Sequence, residues 1–293
     1  SPLSKKIFVE IDKNEIIKRK FKTTLSFNND LGLFLENINN KIKKKIHTKN
    51  QWIKNLKKLK KDLNEDAKYK KNKKFVNSFR FINILSDVMK NNSNIVTDMG
   101  TSFTCTMQSF KTKTNQRLFT SSGIAAMGFG LPGAIGAYFA DKNKVPVCVS
   151  GDGGLMFNIQ ELQTIINYKI PLKLFIINNG GYLTMKLMQK KNFKKFVGAD
   201  DNSGLTLPNF LNVAKSFGFK TFKINDETNI KNRIKKILIS KNPLVCEIIT
   251  PPLQPLVPRV QTQMNRDGSF QPAMLDNMYP FLGTNKINEI RKN

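Results

Sequence analysis

The stretch that decides the fold reads Val145-Pro146-Val147-Cys148-Val149-Ser150-Gly151-Asp152-Gly153-Gly154. Its valine-rich first half is typical of a buried strand, and the glycines that follow indicate a tight turn. A second apolar run, from Leu172 to Ile177, leads in the same way into Asn178-Asn179-Gly180-Gly181. The sequence therefore predicts a carboxylate and a side-chain amide at the ends of two strands.

Apolar segments of strand length and of helix length alternate on both sides of these stretches. The predicted strands are Asn94–Asp98, Arg117–Thr120, Val145–Val149, Leu172–Ile177, Thr221–Ile224 and Leu244–Ile249. The predicted helices run from Phe75 to Met89, Met127 to Ala140, Leu155 to Tyr168, Pro208 to Phe217 and Ile230 to Ile239. This alternation is typical of an α/β fold in which helices flank a parallel sheet. Ligands of such sheets bind at the carboxyl ends of the strands, so the candidate loops follow Asp98, Val149 and Ile177.

The residue types at these strand ends suit a metal-bridged diphosphate. Asp152 and Asn179 offer hard oxygen ligands, which Mg²⁺ or Ca²⁺ prefers. Mg²⁺ held by few protein ligands normally shares its shell with a phosphate group. The glycines allow backbone N–H groups to approach an anion, and the predicted helix from Leu155 would add its positive end. On the glycines alone, a pair of turns capped by Asp and Asn remains an equal alternative.

The chain divides by composition into four segments: 1–46, 47–74, 75–250 and 251–293. The first predicts a strand at residues 6–11, followed by Asp12 and a polar turn, then a strand at 21–26 and a helix from Leu31 to Ile46. The second is rich in lysine and contains His47. Its apolar residues Trp52, Leu56, Leu59 and Leu63 recur at helical spacing, which predicts a helical linker. The third is the α/β domain, and the fourth is predicted to be an irregular tail.

The basic composition raises the question of a nucleic-acid partner. Lys and Arg number 49 against 21 Asp and Glu, which gives a formal net charge of +28. Such a charge is often found in proteins that bind nucleic acids. Here the excess is mostly Lys, occurs with Asn and Ile throughout the chain, and is not accompanied by an RNA- or DNA-reading motif. We therefore predict no nucleic-acid partner.

Targeting signals and cysteine spacing indicate the compartment. No uncharged apolar run reaches the roughly 18 residues of a membrane span, and no signal-peptide core follows Ser1. Cys105, Cys148 and Cys246 lie in apolar contexts without CxxC spacing, as in reduced buried cysteines. We therefore predict a cytoplasmic protein without a membrane partner. Because the chain starts without Met and opens almost directly into a strand, we also expect an N-terminal part to be missing.

The two strand ends together resemble the signature of thiamine diphosphate enzymes. Gly151-Asp152-Gly153 and Asn178-Asn179 are separated by residues 154–177, a spacing similar to that of this family. The resemblance implies thiamine diphosphate bound through Mg²⁺, with Asp152, Asn179 and the Gly181 carbonyl as metal ligands. The loop Thr97-Asp98-Met99-Gly100-Thr101-Ser102 resembles the segment that touches the diphosphate.

Other stretches resemble the acetolactate-synthase-like branch of that family. Residues 122–137, beginning Ser122-Gly123-Ile124-Ala125-Ala126-Met127, are similar to the segment in which a Met supports the bent cofactor, and Met127 is the matching residue. Residues 7–12 resemble the end of the family's central domain, so segment 1–46 is interpreted as a remnant of that domain. The cofactor-binding residues implied are Met99, Gly100, Thr101, Ser102, Met127, Gly151, Asp152, Gly153, Gly154, Asn179, Gly181, Tyr182, Leu183 and Thr184.

The resemblance implies decarboxylation of a pyruvate-like 2-keto acid with carboligation to an acceptor carbonyl. The family's activating glutamate lies in a pyrimidine domain, which no segment of this chain resembles, so no catalytic residue is assigned. A homo-oligomer, at least a dimer, or a separate pyrimidine-domain chain would have to complete the site. A simple 2-keto acid decarboxylase and a catalytically incomplete cofactor-binding fragment are the alternatives. FAD, which many members carry in the central domain, is possible in a full-length protein but is not supported by these residues.

The substrate side departs from the acetohydroxyacid synthases. Those enzymes place a Trp nine residues after the second Asn of the signature, where this chain has Met188, the substrate-pocket candidate. The segment 179–184 and the tail segments 266–270 and 275–282 look more like homologues associated with surface-sugar pathways. The acceptor and the pathway therefore stay open between branched-chain amino acids and surface sugars.

Overall fold

The structure is a computed structural model that describes residues 4–19, 21–42, 50–62, 74–264, 267–272, 275 and 277–292. His47, Leu63, Arg266 and Asp276, which the sequence predictions include, lie outside the described residues. The chain forms two compact units, one of residues 1–62 with Asn293 and the other of residues 63–292.

The first unit contains a small parallel sheet. Its elements are β1 (Ile7–Glu10), α1 (Lys13–Lys18), β2 (Leu25–Asn28), α2 (Leu31–Lys41) and α3 (Asn50–Asp62). β1 and β2 pair in parallel, with Ile7 opposite Leu25. The sequence predicted a polar turn where α1 lies, and that prediction was wrong because Asp12 caps a helix there by accepting a hydrogen bond from the Asn14 N–H. The helix predicted around Trp52 is confirmed as α3.

The second unit is built on a six-stranded parallel sheet. Its strands are β3 (Ser93–Thr97), β4 (Arg117–Phe119), β5 (Val145–Gly151), β6 (Lys173–Asn178), β7 (Lys220–Ile224) and β8 (Leu244–Ile249). They lie in the order β4-β3-β5-β6-β8-β7, and each neighbouring pair is parallel. The α/β fold with a parallel sheet is therefore confirmed.

Helices cover both faces of this sheet, as the continuous apolar strands predicted. The helices are α4 (Ser78–Val88), α5 (Thr101–Ser109), α6 (Gly130–Ala140), α7 (Asp152–Leu155), α8 (Glu161–Asn167), α9 (Leu183–Asn192), α10 (Phe210–Ser216) and α11 (Ile230–Leu238). One core contains residues of α4, α5 and α11, and the other contains residues of α6, α8 and α10. Strand residues alternate between the two, so Val147 joins the first core and Cys148 the second. Each large apolar side chain buried in this way stabilises the fold by about 1.5–3 kcal/mol.

All five predicted helices of this unit are shorter than the sequence indicated, and two of them begin at a turn that contains Gly128 or contacts it. The helix predicted over 155–168 begins only at Glu161, as α8, because residues 156–160 form a turn after α7. In that turn the Asn158 Nδ2 donates a hydrogen bond to the Gly128 carbonyl. The helix predicted from Met127 begins only at Gly130. Gly128 has a φ of 91° and Ala125 a φ of 58°, so the backbone before Gly130 is not helical.

The tail is more regular than predicted. It contains the antiparallel pair β9 (Thr262–Met264) and β10 (Phe270–Pro272), followed by α12 (Thr284–Lys292). All three cysteines are reduced and buried, as the sequence predicted. Within the described ranges, none of the helices combines the length and the apolar character that a membrane crossing requires.

The strand order places a crevice at the ends of β3 and β5. The chain leaves β3 for the edge strand β4 on one side, whereas it leaves β5 for β6 on the other. A crevice at such a reversal is where parallel sheets bind their ligands. The loops after β3 and β5 are two of the three that the sequence predicted as candidates.

Candidate functional site

A cavity of about 240 Å³ lies at the carboxyl ends of β3, β5 and β6. It is lined by Met99, Gly100, Thr101, Ala125, Met127, Gly151, Asp152, Gly153, Gly154, Asn179, Gly181, Tyr182, Leu183, Thr184 and Met185. The structure thus brings together every residue predicted to bind the cofactor except Ser102, which is buried and donates a hydrogen bond from its Oγ to the Met99 carbonyl. Ala125 and Met185 also line the cavity, although the sequence analysis did not assign them a role.

Asp152 is buried at the centre of this cavity wall. Its Oδ1 accepts a hydrogen bond from the Gly153 N–H at 2.8 Å, and its Oδ2 accepts from the N–H groups of Asn179 and Gly181, both at 3.0 Å. Burial raises the pKa of this carboxyl above its ordinary value of 3.8, and the three hydrogen bonds and the charge of Lys186 oppose that shift. A carboxylate offers about four lone-pair positions, so one remains for a further partner.

Asn179 presents a polar atom without a partner. The side chain is 2% exposed, and its Oδ1 has no hydrogen-bond donor in the described part of the chain. Its Nδ2 lies 3.5 Å from Thr101 Oγ1. A buried unpaired oxygen is costly unless something binds it.

The donor set fits a hard divalent cation such as Mg²⁺. A carboxylate with a remaining lone pair and an unpaired amide oxygen, both in one cavity wall, are oxygen ligands of the kind that Mg²⁺ binds. The set contains a single carboxylate, so phosphate oxygens would have to complete the shell. This agrees with the ligand types inferred from the sequence.

The glycines of the site are required by close packing. A Cβ on Gly181 would lie 2.2 Å from the Ala199 carbonyl oxygen, and the φ of Gly181 is 122°. A Cβ on Gly153 would lie 2.2 Å from the ring of Tyr182. By contrast, a Cβ on Gly151 would have no atom within 4 Å. Gly151 is therefore the one of these three at which the backbone faces open space.

Two helices begin at the cavity, and the sequence analysis missed both. α5 begins after Gly100 and α9 after Tyr182, and neither has a side-chain cap on its first N–H groups. Uncapped N–H groups at the positive end of a helix bind anions. The helix that the sequence analysis expected to contribute, which follows Asp152, is only the four-residue α7. The available signal for α9 was its lysines in the last turn, Lys190 and Lys191.

Met188 lies further along α9. It is 43% exposed and is not among the residues that line the cavity. Thr184, which does line the cavity, is four residues earlier and therefore on the same side of the helix.

A second buried carboxylate, Asp98, lies just behind the cavity. Its Oδ1 accepts hydrogen bonds from the Met99 N–H at 2.7 Å and the Gly128 N–H at 2.9 Å, and its Oδ2 accepts from Ser150 Oγ at 2.9 Å. It thereby ties the end of β3 to β5 and to the turn that carries Met127. The sequence analysis placed Asp98 in the loop that resembles the diphosphate-contacting segment but did not include it among the cofactor-binding residues.

Comparison with known proteins places these features in a family. Acetolactate synthase 1, chloroplastic, of Zea mays is 28% identical over 283 residues, which cover 93% of this chain and 43% of the relative. The acetolactate synthase large subunit of Cyanidium caldarium is 29% identical over 83% of this chain and 41% of its own length. The acetolactate synthase isozyme 1 large subunit of Escherichia coli (strain K12) is 31% identical over 58% of this chain and 30% of its own length. The chain thus spans less than half the length of these curated relatives.

A sequence model of the family described as "Thiamine pyrophosphate enzyme, C-terminal TPP binding domain" matches residues 98–248, more than half of the chain. The matched region contains the strand ends that bear Asp152 and Asn179. The chain therefore belongs to the thiamine pyrophosphate enzymes and contains their C-terminal cofactor-binding domain.

Proposed function

We propose that this chain is the diphosphate-binding part of an acetolactate synthase-like enzyme. The enzyme would use thiamine diphosphate and Mg²⁺ to decarboxylate a 2-keto acid such as pyruvate and to join the product to an acceptor carbonyl. The observation that carries the proposal is the unpaired, buried Oδ1 of Asn179 beside Asp152 in the cavity wall. The acetolactate synthases among its relatives support the reaction class.

In this proposal the strand ends hold the metal and the helix ends hold the diphosphate. Asp152, Asn179 and the Gly181 carbonyl bind Mg²⁺, and the first N–H groups of α5 and α9 bind phosphate oxygens. Gly151 leaves room for an anion to approach the backbone. When bound, thiamine diphosphate would supply a carbon nucleophile and an electron sink for decarboxylation.

The apolar part of the cavity would hold the organic part of the cofactor. Met127 lines the cavity with 37% of its surface exposed, and Ala125 and Met185 lie in the same wall. We propose that Met127 supports the two cofactor rings, as the resemblance implies. An apolar wall also keeps water from the reacting atoms.

The site would be completed by a pyrimidine domain from a second subunit or a separate chain. The activating glutamate would come from that domain. Large apolar side chains on the loops and helix that form the cavity are exposed, which favours a covering partner: Ile124, Met127, Met156, Phe157 and Met185. We propose at least a dimer for the full-length protein.

The domain boundaries and the remaining assignments complete the proposal. Residues 1–46 would be the end of a central domain, 47–74 a linker, 75–250 the cofactor domain and 251–293 a tail. Met188 is proposed to face the substrate, because it shares a helix side with Thr184. A cytoplasmic location and the absence of a nucleic-acid partner stay predictions.

The experiment is calorimetric titration of thiamine diphosphate into the wild type, Asp152→Ala and Asp201→Ala, with and without Mg²⁺. Binding should require Mg²⁺ and weaken at least about 100-fold in Asp152→Ala, because even outer-shell changes at metal sites cost 10–100-fold. Asp201, an exposed acid outside the cavity wall, is the matched control. Metal-independent binding, or equal binding by both variants, would contradict the metal assignment.

Turnover by the full-length protein separates the alternatives. Consumption of pyruvate with formation of a 2-hydroxy-2-methyl keto acid supports carboligation. Release of free aldehyde supports the simple decarboxylase. Metal-dependent cofactor binding without turnover, even with an added pyrimidine domain, would support the cofactor-binding fragment.

A further inference from the structure

A buried lysine contacts the turn that bears the proposed metal ligands. Lys186 is 1% exposed, and its Nζ donates hydrogen bonds to the carbonyl oxygens of Asn179 at 3.0 Å and Gly180 at 3.2 Å. The carboxylates of Asp152 and Asp200 lie near enough to interact with its charge. Neither the sequence analysis nor the proposed function uses this residue.

The turn needs such ties because its two glycines make its backbone costly to order. Gly180 has a φ of 68° and Gly181 a φ of 122°, and two successive residues in this region lose much chain entropy when they are fixed. Asp152 holds the N–H groups of Asn179 and Gly181. Lys186 binds the carbonyls of Asn179 and Gly180. Asp152 therefore fixes the N–H groups of the turn, and Lys186 fixes its carbonyl oxygens.

The choice of carbonyls also has a consequence for metal ligands. Lys186 satisfies two backbone oxygens of the turn, those of Asn179 and Gly180. Its hydrogen bonds do not include the Gly181 carbonyl or the Asn179 side-chain oxygen. Those two oxygens are the proposed ligands, and the lysine leaves both available.

We propose that Lys186 is a positioning residue that holds the Asn179–Gly181 turn in its metal-binding conformation before a metal arrives. The inference rests on the proposed function for its metal, but the ordering of the turn is a property of the metal-free protein. This role predicts the opposite of what charge repulsion alone predicts for removal of the lysine. A cation beside a metal site repels the metal, so removal of its charge alone would tighten binding.

A second buried lysine provides a matched control. Lys173, on β6, is 0% exposed, and its Nζ donates to the carbonyls of Pro171 at 2.7 Å and Asn242 at 2.8 Å. It makes the same kind of contact at the other end of the strand that leads to Asn179. Lys173→Met therefore reproduces the loss of a buried ammonium group without touching the turn.

The test measures hydrogen exchange of the Asn179 and Gly181 amides in the metal-free protein, and Mn²⁺ binding in the presence of thiamine diphosphate by electron paramagnetic resonance. In Lys186→Met we expect both amides to exchange at least about tenfold faster and Mn²⁺ to bind at least about tenfold more weakly, as for other residues that orient metal ligands. Lys173→Met should leave both measurements at wild-type values, and Lys186→Arg, which keeps a donor, should recover part of each loss.

Unchanged exchange at the two amides, or tighter Mn²⁺ binding in Lys186→Met, would overturn the proposal. If Lys186→Met does not fold, Lys186→Gln is measured in the same way with the same criteria. If the wild type itself does not bind Mn²⁺ with thiamine diphosphate, the proposed function fails, and the exchange rates alone decide whether Lys186 orders the turn.

Discussion

Asp98 and Asp152 are two buried carboxylates at the ends of neighbouring strands, and their surroundings differ. Each is at most 2% exposed, and burial raises the pKa of each. Each also accepts three hydrogen bonds. Asp98 accepts its hydrogen bonds from three separate segments, and glycines pack closely against it. A Cβ on Gly130 would lie 2.9 Å from its Cβ, and a Cβ on Gly154 would lie 2.4 Å from its Oδ2. Asp152 instead lines the cavity beside an unpaired amide oxygen.

Burial and a shifted pKa therefore do not identify a ligand site by themselves. Both aspartates have these properties, but only Asp152 has open space and an unsatisfied neighbour. Asp98 joins β3, β5 and the turn before α6, which fixes the cavity wall. We therefore propose that Asp98 shapes the site and that Asp152 binds its ligand.

The largest expected effect on stability follows replacement of Asp98. Asp98→Ala leaves the Met99 and Gly128 N–H groups and the Ser150 hydroxyl without their acceptor, and should lower the free energy of unfolding by about 3–5 kcal/mol. Asp98→Asn keeps an oxygen for the two N–H groups and should cost only about 1 kcal/mol. Urea unfolding measures both.

Urea unfolding of Asp152→Ala gives the value with which Asp98→Ala is compared. Its donors border the cavity, where water can replace the lost acceptor, so we expect a loss of only about 1–2 kcal/mol. A loss equal to that of Asp98→Ala would remove the distinction between the two residues.

A smaller effect is expected from two glycines in the turn after β5. Gly154→Ala would place a methyl group 2.4 Å from Asp98 Oδ2, and should lower the free energy of unfolding by about 1–3 kcal/mol. Gly151→Ala meets no protein atom within 4 Å and has an ordinary extended φ of −78°, so its stability should stay within about 0.5 kcal/mol of wild type. Equal losses of stability for the two variants in thermal unfolding would show that contact with Asp98 is not the reason why Gly154 is required.

The smallest effect is a dependence of stability on pH. Because folding raises the pKa of Asp98 and Asp152, the folded metal-free protein binds more protons than the unfolded chain above pH 3.8. The contribution of each to the free energy of unfolding should therefore fall as pH rises from 3.8 through its raised pKa, then level off. Asp152→Asn should make that fall shallower in urea titrations.

Asp226 is the control with the opposite sign. Hydrogen bonds from the Thr228 side chain and backbone lower its pKa below 3.8, so its contribution should be lost as pH falls through that lowered value. Asp226→Asn should therefore change the free energy of unfolding only on the acid side of the pH profile. A pH profile that is the same in Asp152→Asn as in the wild type would contradict the raised pKa of Asp152.

The sheet could be predicted from sequence because its strands are continuous apolar runs. The predicted β8 matches the observed strand, Leu244–Ile249, and the Asp152 and Asn179 positions follow from where β5 and β6 end. The helix over 155–168 could not be predicted to break, because the bond from Asn158 to Gly128 joins segments far apart in sequence.

The surroundings of the site were harder to predict than the positions of its proposed ligands. The roles of Asp98 and Lys186 depend on partners that only the folded chain brings near, such as Ser150 for Asp98. α5 was missed because Thr101–Ser109 is weakly amphipathic and rich in Thr and Ser, which are poor helix formers. The polar residues at the strand ends can therefore be predicted from this sequence, whereas the contacts that surround them cannot.

The most direct test is the magnesium-dependent affinity for thiamine diphosphate of wild type, Asp152→Ala and Asp98→Asn, measured by calorimetry where all three are folded. The account predicts a loss of at least about 100-fold for Asp152→Ala and less than about tenfold for Asp98→Asn. Wild-type affinity in Asp152→Ala, or equal losses in the two variants, would contradict the assignment of Asp152 to the metal-bridged diphosphate site.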